Sequence, residues 1–349
     1  MKRLHLAVFF GGCSPEYSVS LESAAAVLRN LDQEKYRLIP IGITPEGEWY
    51  YYTGDVAKIA EDTWRRHSAA CIPAVLSPDR KTKGLLLLTG GSIEQLRVDV
   101  ALPILHGQNG EDGTIQGLIA LAGIPLVGCD VLSSALCMDK ARAHAMASAA
   151  GIAVPKSNTF NRSDSLDSMR TYARALGYPL FVKPVRAGSS YGVSAVWKES
   201  ELEPAVSHAF QYDSEILLEE QIAGSEVGCA VIGRDTLTVG EIDEIELSGG
   251  FFDYTEKYTL KTAVIHVPAR IEKSTSLRIQ ETAKALYRVM GCSGFARVDM
   301  FLTPENQIFF HEINTIPGFT EHSRFPGMMR AAGMPLPQLL ETVIQEALQ

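Results

Sequence analysis

Apolar residues recur along this chain in two alternating patterns, and each pattern predicts a different element. Runs rich in Val, Ile, Leu and Phe, such as residues 4–10, indicate buried strands, whereas apolar residues three or four positions apart indicate helices. The first strand stops at Gly11-Gly12, and a helical pattern follows behind Ser20, which we predict to be the helix N-cap. The helical positions are Leu21, Ala24, Leu28 and Leu31. The chain therefore opens with a strand, a glycine turn and a helix.

The same patterns divide the chain into three predicted domains, of which the first, residues 1–131, is typical of a Rossmann-like α/β domain with a parallel sheet. The second spans residues 132–214 and the third residues 215–349, and both are expected to be mixed α+β domains. In the first we predict strands at 4–10, 36–43, 98–105 and 125–127 and a helix at 114–122. In the second we predict a helix at 139–150 and strands at 181–184 and 193–196. In the third we predict strands at 216–220, 227–232, 296–302 and 307–313 and helices at 274–290 and 336–348.

Composition and charge narrow the class of protein. The 349 residues carry 32 basic and 41 acidic side chains, a net charge of −9, so a nucleic-acid-coating role and disorder are both disfavoured. No apolar run approaches the ~20 residues that span a bilayer, and the six cysteines show no Cys-x-x-Cys spacing. We expect a cytoplasmic protein that does not bind nucleic acid or insert into a membrane, and whose phosphate ligands are held by a local cluster of cations and N–H groups.

Two predicted neighbouring strands carry the clearest chemistry. Arg297 and Asp299 alternate on one strand, and Glu312 and Asn314 alternate on the next, so each pair shares one face of the sheet. Carboxylate and amide oxygens of this kind suit Mg²⁺ together with substrate phosphates. The alternative is a solvated, charged strand face.

A second candidate site involves phosphate. Lys183 ends a predicted strand and precedes a glycine and serine turn at 186–192, whose N–H and hydroxyl groups can bind phosphate, and Lys140 lies on a predicted helix. Taken singly, each lysine is more commonly just solvated. The turn lacks the Walker pattern, and Gly11-Gly12 lacks the dinucleotide pattern, so a P-loop NTPase and an ordinary NAD dehydrogenase are disfavoured.

At this point the motifs resemble, in order and spacing, those of the D-alanine:D-alanine ligases, which have the ATP-grasp fold. The matching segments are 11–20, Leu105-His106-Gly107 with 110–114, Met138-Asp139-Lys140, 188–192, Asp253-Tyr254 with Lys257-Tyr258, and Glu312-Ile313-Asn314-Thr315 with Pro317-Gly318. The resemblance implies three domains, with ATP held between the second and third. We expect the protein to be a homodimer.

The resemblance implies a role for each matching residue. ATP would contact Lys140, Lys183, Ser190, Glu219, Ile222 and Glu226. Two Mg²⁺ ions, replaceable by Mn²⁺, would be held by Asp299, Glu312 and Asn314. Glu16 would bind the ammonium of a first D-alanine and join Ser189 and Tyr258 in a hydrogen-bonded group. Arg297 and the Gly318 N–H would stabilise an oxyanion, and His106 would have either a substrate-side role or a structural one.

The second substrate depends on Arg324. The matching position in ordinary D-alanine:D-alanine ligases is usually an apolar Leu, and an exposed loop arginine is the alternative interpretation. The combination of Arg324 with Phe252 and Ser323 resembles the D-alanine:D-serine ligases of glycopeptide resistance, of the VanG type. This resemblance implies D-serine as the second substrate. The retained Lys257-Tyr258 pair favours an amine acceptor over D-lactate. Three other possibilities are a housekeeping D-alanine:D-alanine ligase, a non-catalytic ATP-binding regulator on the same fold, and an ATP-grasp carboxylase.

Overall fold

A computed structural model describes residues 3–66, 68–247 and 263–349. Within these residues the strands form three sheets, of seven, four and six strands. In the part of the chain so described, no helix is long and apolar enough to cross a membrane.

The first sheet has strand order β6-β5-β4-β3-β2-β1-β7. Its strands are β1 (Leu4–Gly11), β2 (Tyr36–Ile43), β3 (Trp49–Tyr52), β4 (Cys71–Leu76), β5 (Gly84–Thr89), β6 (Ser92–Arg97) and β7 (Val100–Pro103). Its helices are α1 (Tyr17–Asn30), α2 (Ala57–Ala60) and α3 (Thr114–Leu121). Only β1, β2 and β7 pair in parallel, whereas β3 to β6 extend the sheet as antiparallel strands that the sequence prediction omitted.

Two local predictions in this region are wrong. Helix α1 begins at Tyr17 with Glu16 at the N-cap position, so Ser20 lies inside the helix. Its buried hydroxyl instead donates to the Ile104 carbonyl and accepts from the Gly11 N–H at 2.8 Å, which ties the helix to the sheet. The strand predicted at 125–127 is reduced to a single parallel bridge between Leu126 and Ala101.

The second sheet has order β10-β9-β11-β8 and follows two short helices. Its strands are β8 (Ser157–Asn161), β9 (Leu180–Pro184), β10 (Ser194–Val196) and β11 (Glu215–Glu220), and the helices around it are α4 (Val131–Met138), α5 (Lys140–Ala149), α6 (Leu166–Leu176) and α7 (Leu202–Ala209). Strand β11, placed in the third domain by the sequence prediction, pairs with β8 and β9. The third sheet therefore begins only at Ser225, and the division into three domains stays a prediction.

The third sheet has order β15-β14-β12-β16-β17, with β13 paired to β12. Its strands are β12 (Ser225–Gly233), β13 (Leu237–Val239), β14 (Asp243–Leu247), β15 (Ala263–His266), β16 (Phe295–Leu302) and β17 (Ile308–Asn314), and its helices are α8 (Lys273–Val289), α9 (Arg324–Ala331) and α10 (Leu336–Ala347). In the β16–β17 register, Arg297 lies opposite Asn314 and Asp299 opposite Glu312. The convergence predicted from the period of two is confirmed.

The first and third sheets share one apolar core. Strand β1 and helix α1 pack in the same cluster as Phe295, Phe319 and Phe325. The Phe319 ring contacts the other two rings edge-on, with centroids 5.2 and 5.5 Å away. Phe319 belongs to the turn after β17, so apolar burial brings the two ends of the chain together beside that turn.

Candidate active site

The six predicted ATP residues line one cleft between the second and third sheets. They are Lys140, Lys183, Ser190, Glu219, Ile222 and Glu226, and Glu312 lies at the same cleft. The cleft is lined also by Phe181 and Phe301, so apolar walls and charged groups are combined as in a nucleotide site.

A buried ion pair lies inside this cleft. Lys183 Nζ is 2.6 Å from Glu219 Oε1, and the two side chains are only 5% and 3% exposed. Burial alone would raise the pKa of Glu219, but the charges of Lys183 and His144 outweigh it and hold that pKa below its ordinary value. Glu219 is therefore an ionised acceptor at neutral pH, suited to an amino group.

Lys140 connects the cleft to the predicted metal residues. It is the first residue of α5, and Asp139 caps the helix by accepting from the Arg142 N–H. Its Nζ donates to the Ala187 carbonyl at 2.7 Å and lies 3.4 Å from Glu312 Oε2. The ammonium group thus lies between the glycine and serine turn and the carboxylate at the end of β17.

Glu16 lies where the first section meets that turn. The Ser189 hydroxyl donates to Glu16 Oε1, as the resemblance implies. A Cβ at Gly107 or Gly188 would come too close to Glu16 Oε2, so glycine at both positions makes room for the carboxylate. Tyr258, the third member of the predicted group, lies outside the described residues, as do Phe252 and Lys257.

The predicted metal residues meet at Asp299. Arg297 donates to its two carboxylate oxygens at 2.9 and 2.8 Å, and Asn314 Nδ2 donates to Oδ2 at 2.9 Å. Burial would raise the pKa of Asp299, but Arg297 and Arg324 lower it, so the carboxylate is ionised. Over the described ranges no three His, Cys, Asp or Glu side chains converge as a metal site. Two carboxylates and an amide are a donor set that fits Mg²⁺ when phosphate oxygens complete the coordination.

Arg324 is a buried residue, so the alternative of an exposed loop arginine is wrong. It is the first residue of α9, and its guanidinium donates to both Asp243 oxygens at 2.7 and 2.9 Å and to Glu226 Oε1 at 2.8 Å. A third carboxylate, that of Asp299, has its Oδ1 3.3 Å from Arg324 Nη2. Arg324 therefore has protein partners whichever second substrate is bound, because three carboxylates surround it.

Two acidic residues that sequence reasoning did not single out belong to this site. Asp243 at the start of β14 is fully buried and holds Arg324. Glu111 lies between Glu16 and the turn after β17, and burial together with the Glu16 charge raises its pKa to about 8. The signal that could have found Asp243 is the period of two along strand β14, which places it on the same face as Ile245, where a buried charge is expensive without a partner.

A second cleft, adjacent to the first, gathers the predicted substrate residues. They are Glu16, His106, Ser189, Arg297, Gly318, Ser323 and Arg324. Both ring nitrogens of His106 are within hydrogen-bonding distance of protein groups, the Ile316 carbonyl at 2.8 Å and Ser23 Oγ at 3.3 Å. Ser323 Oγ accepts from the Thr320 N–H at 3.0 Å. The two clefts share Ser189, and Glu226 in the first cleft binds Arg324 in the second, so a nucleotide and a small acid can meet there.

Comparison with known proteins agrees with this geometry. Residues 5–129 match the family model described as D-ala D-ala ligase N-terminus, and residues 146–345 match D-ala D-ala ligase C-terminus. The vancomycin B-type resistance protein VanB of Enterococcus faecalis is 47% identical, with all of both chains covered. The solved VanG D-Ala:D-Ser ligase from Enterococcus faecalis is 54% identical with a TM-score of 0.92, covering 99% of this chain and 100% of that one.

A more distant structure carries the nucleotide. The D-alanine–D-alanine ligase from Bacillus anthracis complexed with ATP is 27% identical with a TM-score of 0.72, covering 99% of this chain and 97% of that one. The fold and site thus define an ATP-grasp ligase. The chain belongs to the D-alanine:D-alanine ligase family.

The buried Arg324–Asp243 pair gives a stability prediction. Arg324→Leu should lower the free energy of unfolding by about 3–5 kcal/mol, because it leaves the Asp243 carboxylate buried and unpaired. Adding Asp243→Leu should recover most of that loss. Urea unfolding of the two variants and the unmodified protein measures both effects. A single variant as stable as the unmodified protein would contradict the pairing.

Proposed function

We propose that the protein joins D-alanine to D-serine at the expense of ATP, through a D-alanyl phosphate. The observation that carries the choice of D-serine is Arg324, a buried guanidinium at the wall of the substrate cleft. Of its five N–H groups, three donate to Asp243 and Glu226, and Nη2 also faces Asp299. Nη1 keeps one N–H with no acceptor among the described residues. A hydroxyl oxygen on the second substrate would accept from it, and a methyl group would not.

The first step transfers phosphate. The carboxylate of D-alanine, with its ammonium held by Glu16, attacks the γ-phosphorus of ATP, and ADP leaves. Lys140 and Lys183 offset the phosphate charge, and Glu219 accepts from the adenine amino group. Mg²⁺, held by Asp299, Glu312 and Asn314, would neutralise phosphate charge and keep the phosphates aligned. Catalysis here consists of positioning and charge neutralisation.

The second step forms the peptide bond. The free amine of D-serine attacks the acyl carbonyl, the carbonyl oxygen gains negative charge, and phosphate leaves as the amine loses its proton. Arg297 is oriented for this oxyanion, because Nε and Nη2 are fixed on Asp299 and Nη1 is left for the cleft. The Gly318 N–H is the second donor. Ser323 would bind the carboxylate of D-serine, and the family resemblance assigns Phe252 and Lys257 to binding of the same substrate.

A D-alanine:D-alanine ligase of housekeeping cell-wall synthesis is the second candidate. Its support is that Arg324 already has three carboxylate partners, so a methyl group beside it leaves only one N–H without an acceptor. A non-catalytic regulator is disfavoured, because Arg297, Asp299, Glu312 and Asn314 are all present and in register.

The proposed product has a physiological context. D-alanyl-D-serine would enter peptidoglycan precursors, and the likeness to VanB supports a role in vancomycin resistance. We propose that the protein acts as a homodimer on small-molecule substrates in the cytoplasm, with no nucleic-acid or membrane partner.

The choice of second substrate is testable by competition. With ATP, Mg²⁺ and D-alanine present near neutral pH, D-serine and D-alanine at equal concentration should give mainly D-alanyl-D-serine by mass spectrometry. The Arg324→Leu/Asp243→Leu variant should shift the product towards D-alanyl-D-alanine, because the pocket wall becomes apolar while charge stays balanced. D-lactate should be a poor acceptor. A preference of the unmodified protein for D-alanine would exclude the D-serine assignment and leave the housekeeping reaction.

The nucleotide assignment is tested at Lys183 and Glu312. Lys183→Ala should raise the KM for ATP roughly 10- to 100-fold, the value of a charged hydrogen bond of about 1.5–3 kcal/mol. Glu312→Gln should lose turnover and retain its fold, because the metal site loses a charge. Lys198→Ala is the matched control, since Lys198 is exposed and 3.6 Å from Glu201. ADP release measures all three. Normal ATP saturation in Lys183→Ala would contradict the phosphate role.

A further inference from the structure

The turn after β17 carries the Gly318 N–H, and residues of the first section hold it on two sides. On one side, the Phe319 N–H donates to Ser23 Oγ at 3.2 Å. On the other, the Ile316 N–H donates to Glu111 Oε1 at 3.1 Å, and the Ile316 carbonyl accepts from His106 Nδ1 at 2.8 Å. The peptide groups that flank Gly318 are therefore fixed by the first section, while Gly318 itself belongs to the third.

The direction of these hydrogen bonds defines the state of His106. The Ile316 carbonyl can only accept, so His106 Nδ1 carries the proton. In the neutral ring Nε2 is then an acceptor, and it faces Ser23 Oγ at 3.3 Å. Ser23 can donate to Nε2 and accept from the Phe319 N–H at the same time. The result is a continuous chain from the Phe319 N–H through Ser23 and His106 to the Ile316 carbonyl.

The surroundings keep this ring neutral. Burial lowers the pKa of His106, the Arg297 charge lowers it further, and the Glu16 charge opposes both. Glu111 is a further titratable group beside the loop, as are Glu22 and His322 in the same cleft, and Glu111 Oε2 accepts from the Gly107 N–H at 2.9 Å. A neutral ring with both nitrogens engaged by protein has no site left for a substrate proton.

Apolar packing cannot supply the orientation that this row of hydrogen bonds gives to the turn. Phe319 is anchored against Phe295 and Phe325, which fixes the position of the turn. Dispersion and burial are non-directional, so they set the place of the turn but not the orientation of each peptide plane. An oxyanion donor must point at the developing charge, and its effect depends on that orientation.

We propose that Ser23 and His106 are positioning residues that orient the Gly318 N–H for the acyl-transfer step. They act through the Ile316 and Phe319 peptide groups and do not touch the reacting atoms. The inference rests on the proposed ligase reaction. It assigns His106 to orientation instead of proton transfer, and it gives Ser23, buried on α1, a part in the reaction.

Ser23→Ala is the first test. It should lower kcat about tenfold, less than the loss of an oxyanion donor itself, and leave the KM for ATP unchanged. Ser20→Ala is the matched control, because Ser20 is equally buried on α1 but bonds to Ile104 and Gly11. It should lose stability in urea unfolding and keep kcat closer to that of the unmodified protein. Equal kcat losses in the two variants would indicate a merely structural role and overturn the proposal.

His106 variants separate orientation from base catalysis. His106→Asn keeps an N–H near the Nδ1 position and should retain clearly more kcat than His106→Ala, with the same pH profile as the unmodified protein. If His106 were the base, Asn and Ala would be equally poor and the acidic limb of the profile would disappear, which would overturn the proposal.

The unmodified protein is assayed alongside all variants. Failure to form any dipeptide would contradict the proposed function, whereas an active unmodified protein with full kcat in Ser23→Ala would contradict only the positioning role.

Discussion

The rest of the site depends on the ion pairs and hydrogen bonds of the buried Asp299 carboxylate. It accepts from Arg297 and Asn314 and lies 3.3 Å from Arg324, which is itself held by Asp243 and Glu226. Charges out of water are stable only when each has partners, so these residues fix one another. Two guanidinium groups, Arg297 and Arg324, face the three carboxylates of Asp299, Asp243 and Glu226, so the formal charges of this cluster leave one negative charge.

The sequence predicts this centre well because its cause is local. A period of two places Arg297 with Asp299 and Glu312 with Asn314 on one face whatever the rest of the fold does, and the observed register agrees. The roles of the nucleotide and substrate residues are implied by the resemblance to a known family, and those residues that the structure describes line two adjacent clefts.

What the sequence could not predict depends on distant partners. Serine is a residue type favoured at helix N-caps, but the Ser20 hydroxyl instead donates to the carbonyl of Ile104, 84 positions away. Strand β11 follows a loop, so the sequence predicts that it begins the third domain. In the structure it pairs with the earlier strands β8 and β9. The burial of Arg324 depends on its ion pair with Asp243, 81 positions earlier, which the sequence around Arg324 does not reveal. In each case the deciding group comes from another part of the chain.

Arg324 also connects the two clefts through its hydrogen bond to Glu226. Its Nη1 donates to Glu226, which lines the nucleotide cleft, while the same guanidinium borders the substrate cleft. If a ribose hydroxyl donates to Glu226, the carboxylate shares its charge between two donors and holds Nη1 less strongly. Nη1 then becomes a better donor to a hydroxyl in the other cleft. In the proposed reaction, nucleotide binding and recognition of the second substrate would thereby be coupled through the Glu226 carboxylate.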